Sequence, residues 1–235
     1  MERMGGMNEQ LLHIANEFIE TYFPESSAAL LAGSHVRGDE TPYSDLDIVI
    51  LDKDKFRKSY VYLDTPIEAF VHNKDSFEFE LFVEKQHGIP LITQMCAEGV
   101  VIKGEEDART LMEQGKQKLM EGPAPLPTSK VDEYRYIITD LLHDLEGSRV
   151  ETEDIYSVGA LIKKLPEFIL RANQEWIGEG KWMFRCLKRF DSTLAEDFTN
   201  CIQGYYKSNE KEALIRFVDQ QLEPFGGRLF KGYQE

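Results

Sequence analysis

Two carboxylates stand at the mouth of an apolar run, Asp45-Leu46-Asp47-Ile48-Val49-Ile50-Leu51, and this pattern constrains the chain more than any other. A run that short and that apolar reads as a buried strand. Side chains alternate faces along a strand, so Asp45 and Asp47 share one face while Leu46, Ile48 and Ile50 share the other. Two acids about 7 Å apart along a strand repel each other unless something cationic lies between them. A hard divalent cation bound by oxygen ligands fits that place, and Mg²⁺ commonly brings substrate phosphates with it. Upstream, the strand-length run Ala29–Ala32 is broken by Gly33-Ser34, and the polar segment 35–44 leads into the acidic strand. A glycine ending a strand lets the chain turn sharply and lets a ligand approach the main chain. Ser34 offers a hydroxyl and an N–H to a phosphate oxygen. A helix beginning after it would add N–H groups to an anion site.

Taken singly, Gly-Ser is a common turn pair, and acids at a strand entrance can be solvated loop-edge residues. In the order strand, Gly33-Ser34, ten-residue spacer, Asp45-Leu46-Asp47, they resemble the signature of the polymerase-beta-type nucleotidyltransferases. The wider form, GSHVRG with SDLDIVIL, is similar to the antibiotic (aminoglycoside and lincosamide) nucleotidyltransferases of that superfamily, which carry a helical C-terminal domain. The resemblance covers about a tenth of the chain. It implies Mg²⁺-dependent transfer of a nucleoside monophosphate from a nucleoside triphosphate, with ATP the expected donor, to a hydroxyl of a small acceptor. On that reading Asp45 and Asp47 hold metal, Gly33 and Ser34 position the β and γ phosphates, and Arg37 is an additional clamp.

The resemblance also implies a third carboxylate from a neighbouring strand after the acidic one. Glu68, in Ile67-Glu68-Ala69-Phe70-Val71, is the matching position, as metal ligand or as general base. By itself a lone strand Glu reads as a solvated outer-face residue. Glu78 and Glu80 compete for the role, but Asp75-Ser76 followed by FEFELFVEKQ reads as a capped helix. Gly180-Lys181-Trp182 is similar to a Gly-Lys-Trp segment of some of these enzymes, in which the basic residue reaches the triphosphate. The plainer reading is a surface lysine beside a core tryptophan.

Charge excludes more than it selects. Forty-two acids against 27 bases leave −15 over 235 residues, a field that repels nucleic acid and anionic membrane. The same field favours a cationic acceptor such as an amino sugar, or it simply confers solubility. Cys96, Cys186 and Cys201 lack CxxC spacing, which argues for a reducing compartment and against a disulfide framework or zinc ribbon. No apolar run approaches membrane-spanning length and no segment resembles a signal peptide, so a cytoplasmic protein is expected, with Met1–Met7 a loose tail.

The remaining pattern predicts two domains, 1–122 and 128–235, joined by the stiff Pro123-Ala124-Pro125-Leu126-Pro127. The first is an α/β mixed-sheet nucleotidyltransferase core. It has a helix over 9–23, strands over 59–63 and 67–72 joined at 64–66, a helix over 91–96, an edge strand over 99–104 and a helix over 105–119. The second is an all-α bundle of about five helices: 131–145, 155–177 broken at Pro166, 181–190, 194–206 and 211–222. A pocket between sheet and bundle would suit two substrates. Asp140, Asp144 and Glu146 read as an acidic wall for the acceptor or as an exposed helix face. The tail Phe225–Phe230 carries no readable signal. The rival readings are transfer to a protein side chain and a nucleotide-binding protein whose site has decayed.

Overall fold

In the computed structural model, which describes residues 9–234, the chain separates after Gly122 into two units. The tail read at Met1–Met7 lies outside the described residues. The first unit is built on strands whose two faces are apolar for different reasons. Helix α1 (Glu9–Tyr22) buries Ile14, Ala15, Phe18 and Ile19, a stripe at helical spacing, and Pro24 follows its end. Strand β1 (Ala28–Ala32) leads through a single helical turn, α2 (Ser34–Arg37), to β2 (Leu46–Leu51). Then come β3 (Phe56–Tyr62), β4 (Thr65–His72), α3 (Lys74–His87), α4 (Leu91–Glu98), β5 (Val100–Lys103) and α5 (Glu105–Glu121).

The five strands lie in the order β3-β4-β2-β1-β5. Pairing is antiparallel except between β2 and β4, which run parallel because β3 returns the chain along the edge of the sheet. Leu31, Leu46, Ile48, Ile50 and Ala69 pack on one face against α1. Leu30, Val49, Leu51 and Phe70 pack on the other against Phe77, Leu81, Ile92, Met95 and Leu111 of α3, α4 and α5. Because β2 is covered on both faces, it is apolar from Ile48 to Leu51, with Asp47 near its start.

The hairpin between β3 and β4 corrects the expected boundaries. Leu63 (φ 47°) and Asp64 (φ 59°) make a two-residue left-handed turn, so Thr65 and Pro66 belong to β4 and β3 begins at Phe56. Pro66 is tolerated because pairing of β4 with β2 starts one residue later, at Leu46 opposite Ile67.

Helix α4 starts after Pro90 with no side-chain cap of its own. Glu84 of α3 supplies one, accepting from the Ile92 N–H (2.5 Å), the Thr93 N–H (2.9 Å) and the Thr93 hydroxyl (2.6 Å) while itself buried. Burial pushes its pKa upward and the bonds from Thr93 and Ile92 restrain the shift.

The second unit holds α6 (Thr128–Gly147), α7 (Glu151–Ala172), α8 (Lys181–Phe190), α9 (Ser192–Ser208), α10 (Lys211–Leu222) and a 3-10 turn (Glu223–Phe225). Contrary to the expected break, α7 runs through Pro166. The proline removes one backbone bond, but Val158, Leu161, Leu165, Phe168 and Ile169 are buried on both sides of it, and that packing holds the helix. The helix stops at Ala172, earlier than predicted, and Gln174 turns the chain at φ 57°.

Two polar clusters tie this unit together. Lys211 reaches the buried Asp154 at 2.5 Å and also donates to the carbonyl of Leu145 at 3.3 Å. Arg228 forks onto Glu146 (2.9 and 2.7 Å) and Asp219 (2.7 and 2.8 Å), and Arg135 donates to the carbonyls of Gly226 and Gly227. The C-terminal tail is therefore a tether. Glu146 pairs with Arg228 and, like Asp140 and Asp144, is exposed. All three cysteines are free. No helix among the described residues is long and apolar enough to cross a membrane.

Candidate active site

The site begins where β1 ends. Ala32 pairs with Asp47, and Asp47 pairs on its other side with Glu68 of β4, so Ala32, Asp47 and Glu68 stand in one row across three adjacent strands. Asp45 lies just ahead of β2 and two residues from Asp47, hence on the same face. One carboxylate oxygen from each of Asp45, Asp47 and Glu68 can be chosen so that all lie within 4.8 Å of one another. Each residue is half-buried. Glu68, not Glu78 or Glu80, is the third acid of the group. Glu80 sits on α3 and bonds Lys55 at 3.0 Å.

Gly33 takes φ 78° and ψ −157°, a conformation open to glycine, and the Asp47 carboxylate lies against its Cα where a side chain would project. The close approach expected for a ligand is thus made by the protein's own acid. Ser34 opens α2, whose single turn is closed by Gly38 in the left-handed region. Arg37, at the end of that turn, has its guanidinium 3.3 Å from Glu98 and 3.4 Å from Asp39. Lys181 is the exposed first residue of α8 in the second unit, beside the half-buried Trp182, on whose ring the Arg185 guanidinium stacks at 4.7 Å.

Three acids at this spacing strain one another. Burial, then Asp45 and Glu68, push the Asp47 pKa from 3.8 up to about 6, against the pull of Arg37 and Arg57. An all-oxygen set of three carboxylates, one of them raised by burial and then by its acidic neighbours, has the chemistry of a hard divalent site: a dication would favour the ionised form that burial and repulsion oppose.

Arg57 went unread in the sequence. It stands on β3 opposite Phe70 and donates from Nε and Nη2 to the two oxygens of Glu68, at 2.8 and 2.7 Å. Its guanidinium lies over the Phe70 ring at 4.7 Å. The alternation of β3 puts Arg57 and Ser59 on the face of Glu68, and a strand beginning at Ser59 leaves Arg57 outside it.

Residues 12–113 match the family model of the nucleotidyltransferase domain. The chain carries a nucleotidyltransferase domain. It is an enzyme of that class, as the Gly-Ser turn and the paired aspartates led us to expect, and the matched segment runs from α1 into α5. In fold, the chain is similar to the crystal structure of a nucleotidyltransferase-like protein from Exiguobacterium sibiricum 255-15. The TM-score is 0.50 at 11% identity, over 91% of this chain and 75% of that one. No curated protein matches the chain. The mixed sheet followed by helices is the fold class predicted for the nucleotidyltransferase core and its helical C-terminal region.

Proposed function

We propose that this nucleotidyltransferase domain transfers a nucleoside monophosphate, with ATP as donor, to a hydroxyl of a small acceptor and releases pyrophosphate. The observation that carries the reading is the cluster of Asp45, Asp47 and Glu68 oxygens beside the Gly33-Ser34 turn. Asp45 and Asp47 would hold Mg²⁺, with Glu68 as the third ligand. A divalent ion held by these residues would supply Lewis-acid neutralisation of the charge that develops in displacement at the α-phosphorus.

The chain's own groups do the rest. The backbone N–H and hydroxyl of Ser34 face the β and γ phosphates, and Gly33 sets the turn that presents them while admitting the Asp47 carboxylate beside it. Arg37 clamps a phosphate oxygen on leaving Glu98 or Asp39. Lys181 is proposed as a further contact to the triphosphate. Glu68, where it does not ligate metal with both oxygens, accepts the proton of the attacking hydroxyl. A decayed nucleotide binder is disfavoured, because the Gly-Ser pair and all three acids are in place.

An aminoglycoside-like, cationic acceptor fits the net charge of −15 and the similarity of GSHVRG and SDLDIVIL to the antibiotic enzymes. With Glu146 taken by Arg228, the support from the helical unit narrows to Asp140 and Asp144. The test is incubation with Mg²⁺, each labelled triphosphate and a panel of amino-sugar and lincosamide-like compounds, read by mass. Gain of a nucleoside monophosphate on an amino sugar, absent in Asp47→Asn, is expected. Transfer to none of the panel with any triphosphate would overturn the small-acceptor reading.

A further inference from the structure

Three acids on one face call for a cation, and the fold already provides one from its own chain. Arg57 and Glu68 are diagonal neighbours across β3 and β4, since Arg57 is opposite Phe70 and Ser59 is opposite Glu68. The Arg57 guanidinium lies over the Phe70 ring at 4.7 Å and donates from Nε and Nη2 to the two Glu68 oxygens at 2.8 and 2.7 Å. A fork of this kind is the strongest pairing a guanidinium makes with a carboxylate, and the ring beneath it limits where the fork can go. The pairing is asymmetric in exposure. The Arg57 side chain is 59% exposed and that of Glu68 is 18%, so the arginine can swing into water while the acid stays at the sheet.

We propose that Arg57 is a positioning residue that stands in for the metal in the metal-free site. It holds Glu68 beside Asp47 by both carboxylate oxygens, including the one a divalent cation would take, and it competes with that cation for it. This rests on the nucleotidyl-transfer reading, which makes Glu68 a metal ligand. Its consequence is specific. A metal that takes Glu68 must either displace the fork or lie beside a guanidinium, and both weaken its binding. Once displaced, Arg57 remains tethered through β3 at the edge of the site, on the opposite side of the acids from Ser34.

A plainer account is that Arg57–Glu68 is a cross-strand pair that steadies an edge strand. The two accounts differ in what happens to metal affinity. Mn²⁺ is titrated into the full chain without nucleotide at pH 8 and fixed ionic strength, with free Mn²⁺ read by electron paramagnetic resonance. Arg57→Gln and Arg57→Met are measured beside Arg57→Lys, and thermal unfolding checks that each variant is folded. The expected result is tighter Mn²⁺ binding by Arg57→Gln and Arg57→Met, on the order of tenfold. Arg57→Lys, with its charge but without the fork, should fall between them and the parent. In a Glu68→Gln background the Arg57→Gln gain should shrink severalfold, because the contact through which Arg57 acts is gone.

Unchanged or weaker binding in the folded Arg57 variants would overturn the proposal, as would a full gain that survives in Glu68→Gln. Those failures differ from failure of the underlying reading. If Mn²⁺ binding by the parent chain were indifferent to Asp47→Asn, the metal site itself would fall and this inference with it.

Discussion

The carboxylate of Asp47 occupies the place where a side chain on residue 33 would have to stand, so Gly33 is the condition for Asp47 being in the site. The two face each other because Ala32 and Asp47 are register partners and the chain turns at φ 78° one residue later. Gly33→Ala should therefore act through Asp47. We expect divalent affinity to fall by more than tenfold and the melting temperature to drop modestly, the backbone strain alone being worth about 1–3 kcal/mol. Mn²⁺ titration with a parallel circular-dichroism melt checks both, and parent-like Mn²⁺ binding in Gly33→Ala would refute the relationship.

Asp47 should also be a site where function opposes stability. Its folded pKa is raised from 3.8 to about 6, so the protonated form is favoured by folding. That contribution is complete below about pH 4 and is lost as pH rises through 6, leaving the ionised form a burden on the order of 1–3 kcal/mol at neutral pH. Asp47→Asn should melt higher than the parent at pH 7 to 8 in the presence of a chelator. The gap should close toward pH 4, and the variant should have lost nucleotidyl transfer. A lower melting temperature at pH 8 would contradict the electrostatic account.

Glu84 should behave as a structural acid, remote in role from the metal. It closes the start of α4 with three bonds, to the Ile92 and Thr93 N–H groups and the Thr93 hydroxyl. Glu84→Ala leaves buried donors unmatched and should destabilise the chain by about 2–4 kcal/mol. Glu84→Gln, which keeps one acceptor oxygen, should lose less. Urea unfolding reads the difference, and a loss under about 0.5 kcal/mol in Glu84→Ala would rule the cap out as a significant support.

The helical unit has its own sensitive pair. Asp154 is 1% exposed and its partner is Lys211. Lys211→Met removes the charge while keeping most of the stem, and leaves Asp154 buried and uncompensated, a loss of about 3–5 kcal/mol. The double variant Asp154→Asn with Lys211→Met should recover part of it, since the stranded charge is removed. Denaturant titration of the single and double variants tests this. Equal losses in both would show that the charge of Asp154 is not the cause.

The sequence by itself determined what local periodicity and local chemistry can carry. The short apolar run Ile48–Leu51 reads as a buried strand, and alternation along it puts Asp45 and Asp47 on one side whatever surrounds it. Gly33 before Ser34 was legible as a turn, and Glu68 could be singled out through the resemblance. The helical stripes of the second unit announced their helices, though not where α7 would end or that it would pass through Pro166. Tertiary structure alone decided everything that depends on which residues meet across long separations. It brought Glu68 beside Asp47 through the parallel pairing of β2 with β4, and it laid Arg57 across Phe70 onto Glu68 through a hairpin whose turn the sequence misplaced by one or two residues. It set Glu84 as the cap of a neighbouring helix and joined Arg228 to Glu146 and Asp219, out of a tail with no periodic signal. The physical reason is common to these cases. A strand or helix face is a property of consecutive side chains, whereas an ion pair or a cap depends on register and packing between segments, and a shift of one residue moves every partner to the other face.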